Sequence, residues 1–152
     1  MFKDFDKLNN TEIEIMLKAP VLVCILIAGA DGTIDKKEIR EAIAHTQKKS
    51  KEALANYLGE ISQDFEDKLK IMIRSYPAES SQRNPILMEE LSQLNAIWKK
   101  MDRKFSIMVY QMLKELAEKI ASSSGGILGM NTITEDEARY VQLTMISDPS
   151  KF

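Results

Sequence analysis

The chain contains one long apolar run without a charge, APVLVCILIAGA (residues 19–30), which leads directly into the acidic stretch DGTIDKKE (residues 31–38). Because apolar side chains in this run cover nearly the whole circumference of a helix, we expect a helix that is surrounded by other helices. The run is much shorter than the roughly 20 residues that cross a bilayer. It therefore predicts the buried central helix of a globular domain, followed by a tight turn at Asp31 and Gly32.

The composition favours a single domain over residues 1–152. The chain is 44% hydrophobic, enough for one well-buried core. Its 21 basic and 23 acidic residues are dispersed and give a net charge of −2, so nucleic acid is not an expected partner. The single cysteine excludes an internal disulfide, and the N-terminus lacks the order of a secretory signal. We therefore expect a cytoplasmic protein without a transmembrane segment.

The residues before the apolar run are expected to form a short flap and then a helix. Three apolar side chains fall on one side of the flap: Phe2, Phe5 and Leu8. The helix should begin near Thr11, with Asn10 or Thr11 as its N-cap. Pro20 lies inside it and predicts a kink, or two helices that abut near Ala19.

Two helical regions are predicted after the acidic stretch. Residues 36–48 form one helix, with four inward positions at helical spacing: Ile39, Ala42, Ile43 and Thr46. Residues 51–74 form one long helix, or two helices broken near Gly59, with Ser50 and Ser62 as the N-caps.

A polar loop over residues 76–84 separates these helices from the C-terminal half. Asn84 as N-cap and Pro85 at the first helical position open a helical region whose pattern permits one uninterrupted helix to Ala121. Its apolar stripe is Leu87, Leu91, Leu94, Trp98, Met101, Phe105, Met108, Met112, Leu113, Leu116 and Ile120.

A last helix is expected between Thr134 and Pro149, with Ala138, Val141 and Met145 facing inward. No alternating period of two residues runs for a useful length anywhere in the chain. The sequence therefore predicts an all-α fold, a single compact bundle of about 6–8 helices around a buried central helix.

Two interpretations apply to the carboxylates of the acidic stretch. In the first, Asp35 caps the following helix and Glu38 completes a capping box. In the second, Asp31, Asp35 and Glu38 bind a divalent cation, Ca²⁺ or Mg²⁺, because the stretch reproduces the second half of an EF-hand loop. The first half is missing, so further oxygens must come from elsewhere. The candidates are Glu12, Glu14, Glu135, Asp136 and Glu137.

A second turn repeats the spacing of the first. Residues 133–137 (ITEDE) place an isoleucine, a cap residue and a glutamate at the same intervals as residues 34–38 (IDKKE). If the two turns are equivalent, Glu137 corresponds to Glu38.

Other chemistry is sparse. Cys24 lies deep in the apolar run, where burial lowers thiol reactivity, and His45 lies among charged neighbours on a helix surface. Residues 124–129 (SGGILG) follow a helix rather than a strand and lack the Gly-Lys-Ser/Thr of a phosphate loop. The sequence therefore predicts a protein that is not an enzyme.

The two turns resemble the tellurite-resistance TerB family. Residues 27–38 (IAGADGTIDKKE) resemble the family's Ala-Asp-Gly-x-Ile-x-x-x-Glu signature after a hydrophobic helix. Residues 121–129 (ASSSGGILG), followed by residues 133–137, are similar to its Gly-Gly-aromatic-Leu-Gly turn and closing helix. Ile127 stands where the family often has an aromatic residue.

The resemblance implies a cytoplasmic helical bundle linked to tellurite resistance or wider stress responses, with a protein partner at the membrane. It also implies a metal at the acidic positions that match the family, namely Asp31, Asp35, Glu38 and Glu137. The first functional hypothesis is thus a non-enzymatic TerB-like module whose acidic loop binds a divalent cation or a basic partner surface. The alternative is a helical protein-interaction adaptor that uses a methionine-rich groove, with the acidic loop acting only as a helix cap.

Overall fold

The computed structural model describes residues 5–29, 35–125 and 140–151, and all regular structure in these ranges is helical. This confirms the predicted all-α class. The helices are, in chain order, α1 (Asn10–Ala28), α2 (Lys36–Lys48), α3 (Glu52–Ser62), α4 (Phe65–Ser75), α5 (Ser80–Ser92), α6 (Leu94–Ile97) and α7 (Arg103–Gly125), with 3₁₀ turns at Trp98–Lys100 and Pro149–Lys151. None of the described helices is both long enough and apolar enough to cross a bilayer.

Helix α1 is the central helix that the apolar run predicted. Every residue in 21–28 is at most 3% exposed, and the helix packs most extensively against α7 and α5. Its N-cap is Asn9 rather than the predicted Asn10 or Thr11. The Asn9 side chain accepts from the Glu12 main-chain N–H (2.8 Å), and the Glu12 carboxylate accepts from the Asn9 N–H (2.9 Å). This reciprocal capping box explains the earlier start of the helix.

Pro20 does not divide α1, so the alternative of two abutting helices is wrong. Because proline has no N–H, the carbonyl of Met16 loses its usual donor one turn later. The hydroxyl of Tyr57 donates to that carbonyl instead. Tyr57 is completely buried, and its ring packs edge-on against Phe5 and Phe105, with centroids 6.2 and 6.0 Å away. The Tyr57 hydroxyl on α3 therefore replaces the hydrogen bond that Pro20 removes from the backbone of α1.

Helix α2 has the predicted bounds, and its four predicted inward residues are all buried: Ile39, Ala42, Ile43 and Thr46. The region over residues 51–74 forms two helices rather than one. The break lies at Asp64, whose backbone adopts the left-handed conformation with φ 51°. Because this conformation cannot continue a right-handed helix, the chain turns there and α4 takes a new direction.

The two serines predicted as N-caps do not cap. The hydroxyl of Ser50 donates to the Thr46 carbonyl (2.6 Å), and that of Ser62 donates to the Leu58 carbonyl (2.9 Å). Each hydroxyl is therefore bonded to a carbonyl of the preceding helix and does not cap the helix that follows. The N-caps are Lys51 for α3 and Asp64 for α4, and neither makes a side-chain capping bond.

Helix α5 begins at Ser80, so the prediction of a loop to residue 84 with Asn84 as N-cap is wrong. Pro85 lies inside the helix instead of at its first position. Arg83 explains the earlier start, because it is only 4% exposed and its guanidinium donates to the carbonyls of Gly29 (2.7 Å) and Ala78 (3.1 Å). A cation at the C-terminal end of α1 is also favoured by the helix dipole.

The helical region after Pro85 is interrupted twice, so one continuous helix to Ala121 is also wrong. A turn at Gln93 ends α5, and Asp102 caps α7 by accepting from the Phe105 N–H (3.0 Å). The predicted apolar stripe is nevertheless buried, apart from Met108, which packs half-buried against the core.

The predicted last helix does not reach Pro149. In the described residues it ends at Val141, and Leu143 adopts a left-handed φ of 49°. Asn95 and Trp98 hold the segment that follows: Asn95 donates to the Met145 carbonyl (3.0 Å) and accepts from the Ser147 N–H (2.6 Å), and Trp98 donates to the Ser147 carbonyl (3.0 Å). These main-chain groups are therefore satisfied without a helix.

The remaining apolar predictions are confirmed where the structure describes them. Phe5 and Leu8 are buried, which confirms that the N-terminal segment packs on the bundle. Three methionines are buried, Met16, Met101 and Met112, and four are half-buried against the core, Met72, Met88, Met108 and Met145. These methionines act mainly as core residues.

Candidate functional site

The acidic stretch enters α2 through Asp35, which is the N-cap that the sequence predicted. One carboxylate oxygen, Oδ1, accepts from the main-chain N–H groups of Lys37 (2.9 Å) and Glu38 (3.2 Å). The side chain of Asp35 is exposed and that of Glu38 is half-buried. The capping interpretation of Asp35 is therefore confirmed.

The structure brings together only part of the predicted cation site. Asp31 and Glu137 lie outside the described residues, as do Glu135 and Asp136. Within the described ranges, no three His, Cys, Asp or Glu side chains are close enough to hold a metal ion together. The cation at Asp31, Asp35, Glu38 and Glu137 stays a prediction.

Glu12 is committed to other partners. Its carboxylate belongs to the α1 capping box and forms an ion pair with Lys100 (2.8 Å). The hydrogen bond from Lys100 and that from the Asn9 backbone hold the pKa of Glu12 below its usual value. Glu12 was one candidate for a further cation ligand, but its carboxylate is already bonded at the start of α1.

The lone histidine and cysteine lie where the sequence placed them. His45 is exposed on α2, and Cys24 is completely buried in α1. Burial raises the pKa of the Cys24 thiol far above its usual value, so the thiolate nucleophile does not form there.

The described surface contains one strongly apolar groove, which the sequence analysis missed. It has a volume of about 420 Å³ and lies between α1, the end of α3, and α4. We call it the α1–α4 groove. Its floor consists of Ile13, Leu17, Val21, Ile61, Phe65 and Met72.

The α1 side of this groove is a continuous helical stripe. Asn10, Ile13, Leu17 and Val21 line it, together with Glu14 and Lys18 along its edge. These intervals place one face of α1 against the groove for about three turns, or roughly 16 Å. Helix α4 packs against α2, and the groove separates it from this face of α1.

Ile71 stands on the α4 side of the groove and is 65% exposed. Only Ile86, at 41%, joins it as an exposed large hydrophobic side chain among the described residues. Full burial of an exposed isoleucine side chain contributes roughly 1.5–3 kcal/mol of stabilisation. An apolar partner on the groove therefore gains this burial.

Charged side chains border the apolar floor. Lys18 is held at one end by Glu90 (3.4 Å), and the Tyr76 hydroxyl also donates to Glu90 (2.6 Å). Burial lowers the pKa of Lys18, but the hydrogen-bonded and charged neighbours Tyr76 and Glu90 outweigh burial and raise it. Glu14, Glu60 and Lys68 complete the edge. The groove thus combines an apolar floor with a mixed-charge rim.

The sequence contained part of the signal for this groove. Ile61, Phe65 and Met72 recur at helical intervals within residues 51–74 and form an apolar stripe. Ile71 lies off this stripe, because it is not three, four or seven residues away from any of these three side chains. An apolar residue off the inward stripe is the available sequence sign of an exposed binding face.

Searches of protein-family models, characterised proteins and solved structures gave no match to this chain. The resemblance to the TerB family therefore rests on the two sequence motifs.

Proposed function

We propose that this protein is a non-enzymatic, cytoplasmic interaction module whose α1–α4 groove binds an amphipathic helix of a partner protein. The observation that supports this proposal is the uncovered apolar groove with Ile71 65% exposed at its border. The proposal agrees with the alternative hypothesis of a helical adaptor, but it places the binding surface in the α1–α4 groove instead of a methionine-rich groove. The floor is mainly isoleucine, leucine, valine and phenylalanine, and Met72 is its one methionine.

The shape of the groove favours a helix as the occupant. The α1 face extends for about three turns, which matches a partner helix that presents apolar residues at i, i+3 or i+4, and i+7. Asn10, Glu14 and Lys68 are exposed along the border and can meet the polar flanks of such a helix. We expect micromolar affinity, because one short helix buries less surface than a stable heterodimer requires.

Asp35 takes no part in this interaction. Its carboxylate stabilises the first turn of α2. The TerB-like role in tellurite resistance or stress, the membrane-associated partner and the cation are separate expectations that come from the two motifs.

Site-specific photocrosslinking tests the proposal. The photoreactive residue p-benzoylphenylalanine replaces Ile71 in one variant and Ile86 in a matched control, and both proteins are irradiated in the producing cells. We expect a crosslinked partner protein that is specific to position 71. Mass spectrometry should place the crosslink in a segment with apolar residues at helical intervals.

The identified segment is then synthesised and its binding to the purified protein measured by fluorescence anisotropy. We expect Ile71→Asp to weaken binding by about tenfold or more, since an aspartate leaves a buried charge against the partner helix. Ile86→Asp should leave the affinity unchanged. Equal crosslinking at both positions, or a crosslinked segment without helical apolar spacing, would contradict the proposal.

A further inference from the structure

A second groove lies on a different part of the molecule, between the α2–α3 connection and α7. Its volume is about 500 Å³. We call it the α2–α7 groove. It shares no lining residue with the α1–α4 groove, so the two surfaces can be occupied independently.

The floor of the α2–α7 groove is apolar and recessed. Leu54 from α3 and Met112 from α7 are 8% and 2% exposed, and Ile107 and Met108 are half-buried beside them. Residues 104, 107, 108, 111, 112 and 115 line the groove at helical intervals, so one outward stripe of α7 forms its wall. Its apolar members are Ile107, Met108 and Met112, which cover about one and a half turns in the middle of the stripe.

The border of this groove is basic, although the whole chain is slightly acidic with a net charge of −2. Lys49, Lys51 and Lys104 are exposed there, and Glu115 is the one acidic residue among the described residues that line the groove. Within the described ranges, none of these three ammonium groups has a carboxylate within 4 Å. They are therefore available to a partner.

An adjoining depression of about 550 Å³ contains two of these lysines and one carboxylate, that of Glu52. Lys51, Lys104 and Met108 line both, and the depression adds the first turn of α3 at Glu52 and Ala53. The first turn of α3 carries the carboxylate of Glu52, which offsets the positive end of the helix dipole, so the attraction for an anion comes from the lysines.

We infer that the α2–α7 groove binds an acidic segment of a partner protein, with carboxylates at Lys49, Lys51 and Lys104 and an apolar anchor on Met108. Charge complementarity carries this assignment, because the three lysines of the border have no carboxylate partner among the described residues while the floor is apolar. A recessed floor suits a side chain that inserts, whereas a membrane surface is bound by apolar side chains that protrude. The described lining residues include no aromatic side chain on which a nucleic-acid base could stack.

The test uses two synthetic peptides of about four helical turns that carry fluorescein. One contains a single central leucine among glutamates and glutamines, so it lacks the apolar stripe expected of a helix in the α1–α4 groove, and the other has lysine in place of each glutamate. We expect the acidic peptide to bind the purified protein in fluorescence anisotropy, more weakly as NaCl rises, and the basic peptide not to bind.

Two double variants with the same change in net charge distinguish binding in this groove from nonspecific electrostatic attraction. Lys51→Glu with Lys104→Glu should weaken the acidic peptide about tenfold or more, and Lys70→Glu with Lys99→Glu should have little effect. Met108→Ser should also weaken it, and Ile71→Asp in the other groove should not. Because the Ile71 variant reports only on the α1–α4 groove, either proposal can fail alone.

Three results would overturn the inference. The first is no binding of the acidic peptide. The second is an equal loss of affinity in both lysine pairs, which would indicate nonspecific attraction. The third is lysine-dependent binding to phosphatidylcholine vesicles that contain phosphatidylserine without binding to the peptide, which would assign the surface to a lipid.

Discussion

At the scale of single residues, Tyr57 supplies the hydrogen bond that Pro20 removes from α1. The Met16 carbonyl is buried and would otherwise have no donor, and an unpaired buried carbonyl costs about 1–3 kcal/mol. Complete burial also raises the pKa of the Tyr57 hydroxyl well above its usual value, so the phenol stays protonated and remains a donor.

This pairing leads to a prediction for a double-mutant cycle. Tyr57→Phe should lower the free energy of unfolding by about 1–3 kcal/mol, since the Met16 carbonyl loses its donor. The loss should be smaller in a Pro20→Ala background, because the alanine N–H then pairs with that carbonyl. Urea denaturation of the four proteins measures the coupling.

Tyr110→Phe is the matched control for this cycle. The Tyr110 side chain is half-buried and makes no hydrogen bond with the described residues. It should leave stability within about 0.5 kcal/mol of wild type. Equal costs of Tyr57→Phe in both backgrounds would show that the hydroxyl does not compensate for the proline.

At the scale of elements, the helix ends depend on different kinds of contact. Helices α1 and α2 begin at local caps, Asn9 with Glu12 and Asp35 with the amides that follow it, all within three residues. The early start of α5 depends instead on a distant contact, in which the Arg83 guanidinium donates to the Gly29 carbonyl. The two local caps were predicted to within two residues, and the start of α5 was not.

Substitution of Asp35 separates its two interpretations. Asp35→Ala should lower stability by about 1 kcal/mol, because the Lys37 and Glu38 amides lose their acceptor. Asp35→Asn keeps the acceptor and should cost less than about 0.5 kcal/mol. Thermal unfolding of the three proteins measures both values.

The same proteins test the cation. A rise in Tm with Ca²⁺, Mg²⁺ or Mn²⁺ that is present in wild type and absent in Asp35→Asn would support a cation site, because the amide keeps the cap and removes the charge. Equal stability of Asp35→Ala and wild type would contradict the cap itself.

At the scale of the whole molecule, few long-range bonds hold the C-terminal segment to the bundle. Asn95 donates to the Met145 carbonyl and accepts from the Ser147 N–H, about 50 residues along the chain, and Trp98 donates to the Ser147 carbonyl. Val141, Leu143 and Ile146 add buried apolar surface beside them. After the helical residues Tyr140 and Val141, this segment closes one side of the core without regular structure up to the 3₁₀ turn at Pro149–Lys151.

We therefore predict that Asn95→Ala loosens the C-terminal segment. Two hydrogen bonds are lost, so the opening free energy of this segment should fall by about 1–3 kcal/mol. Hydrogen exchange at the Ser147 amide measures this directly. Gln93→Ala, an exposed neighbour whose side chain makes no hydrogen bond with the described residues, is the control. Similar exchange rates in the two variants would contradict a role for Asn95.

The sequence by itself determined the features that depend on neighbouring residues. The uncharged run over residues 19–30 was sufficient to predict a buried central helix, since a helix apolar on all sides must be covered on all sides. The spacing of Ile39, Ala42, Ile43 and Thr46, with Asp35 before them, predicted both ends and the buried face of α2. Local geometry repeats with a known period, so such features can be read from the chain.

Only the tertiary structure decided the features that join distant residues. The contact of Tyr57 with Met16, the reach of Arg83 to Gly29 and the hold of Asn95 on Ser147 are all set by how helices pack. The two grooves have the same origin, because each lies where neighbouring helices leave part of their apolar surface uncovered. Helical periodicity identifies the apolar face of each helix, but the packing of the whole bundle determines which parts of that face stay uncovered.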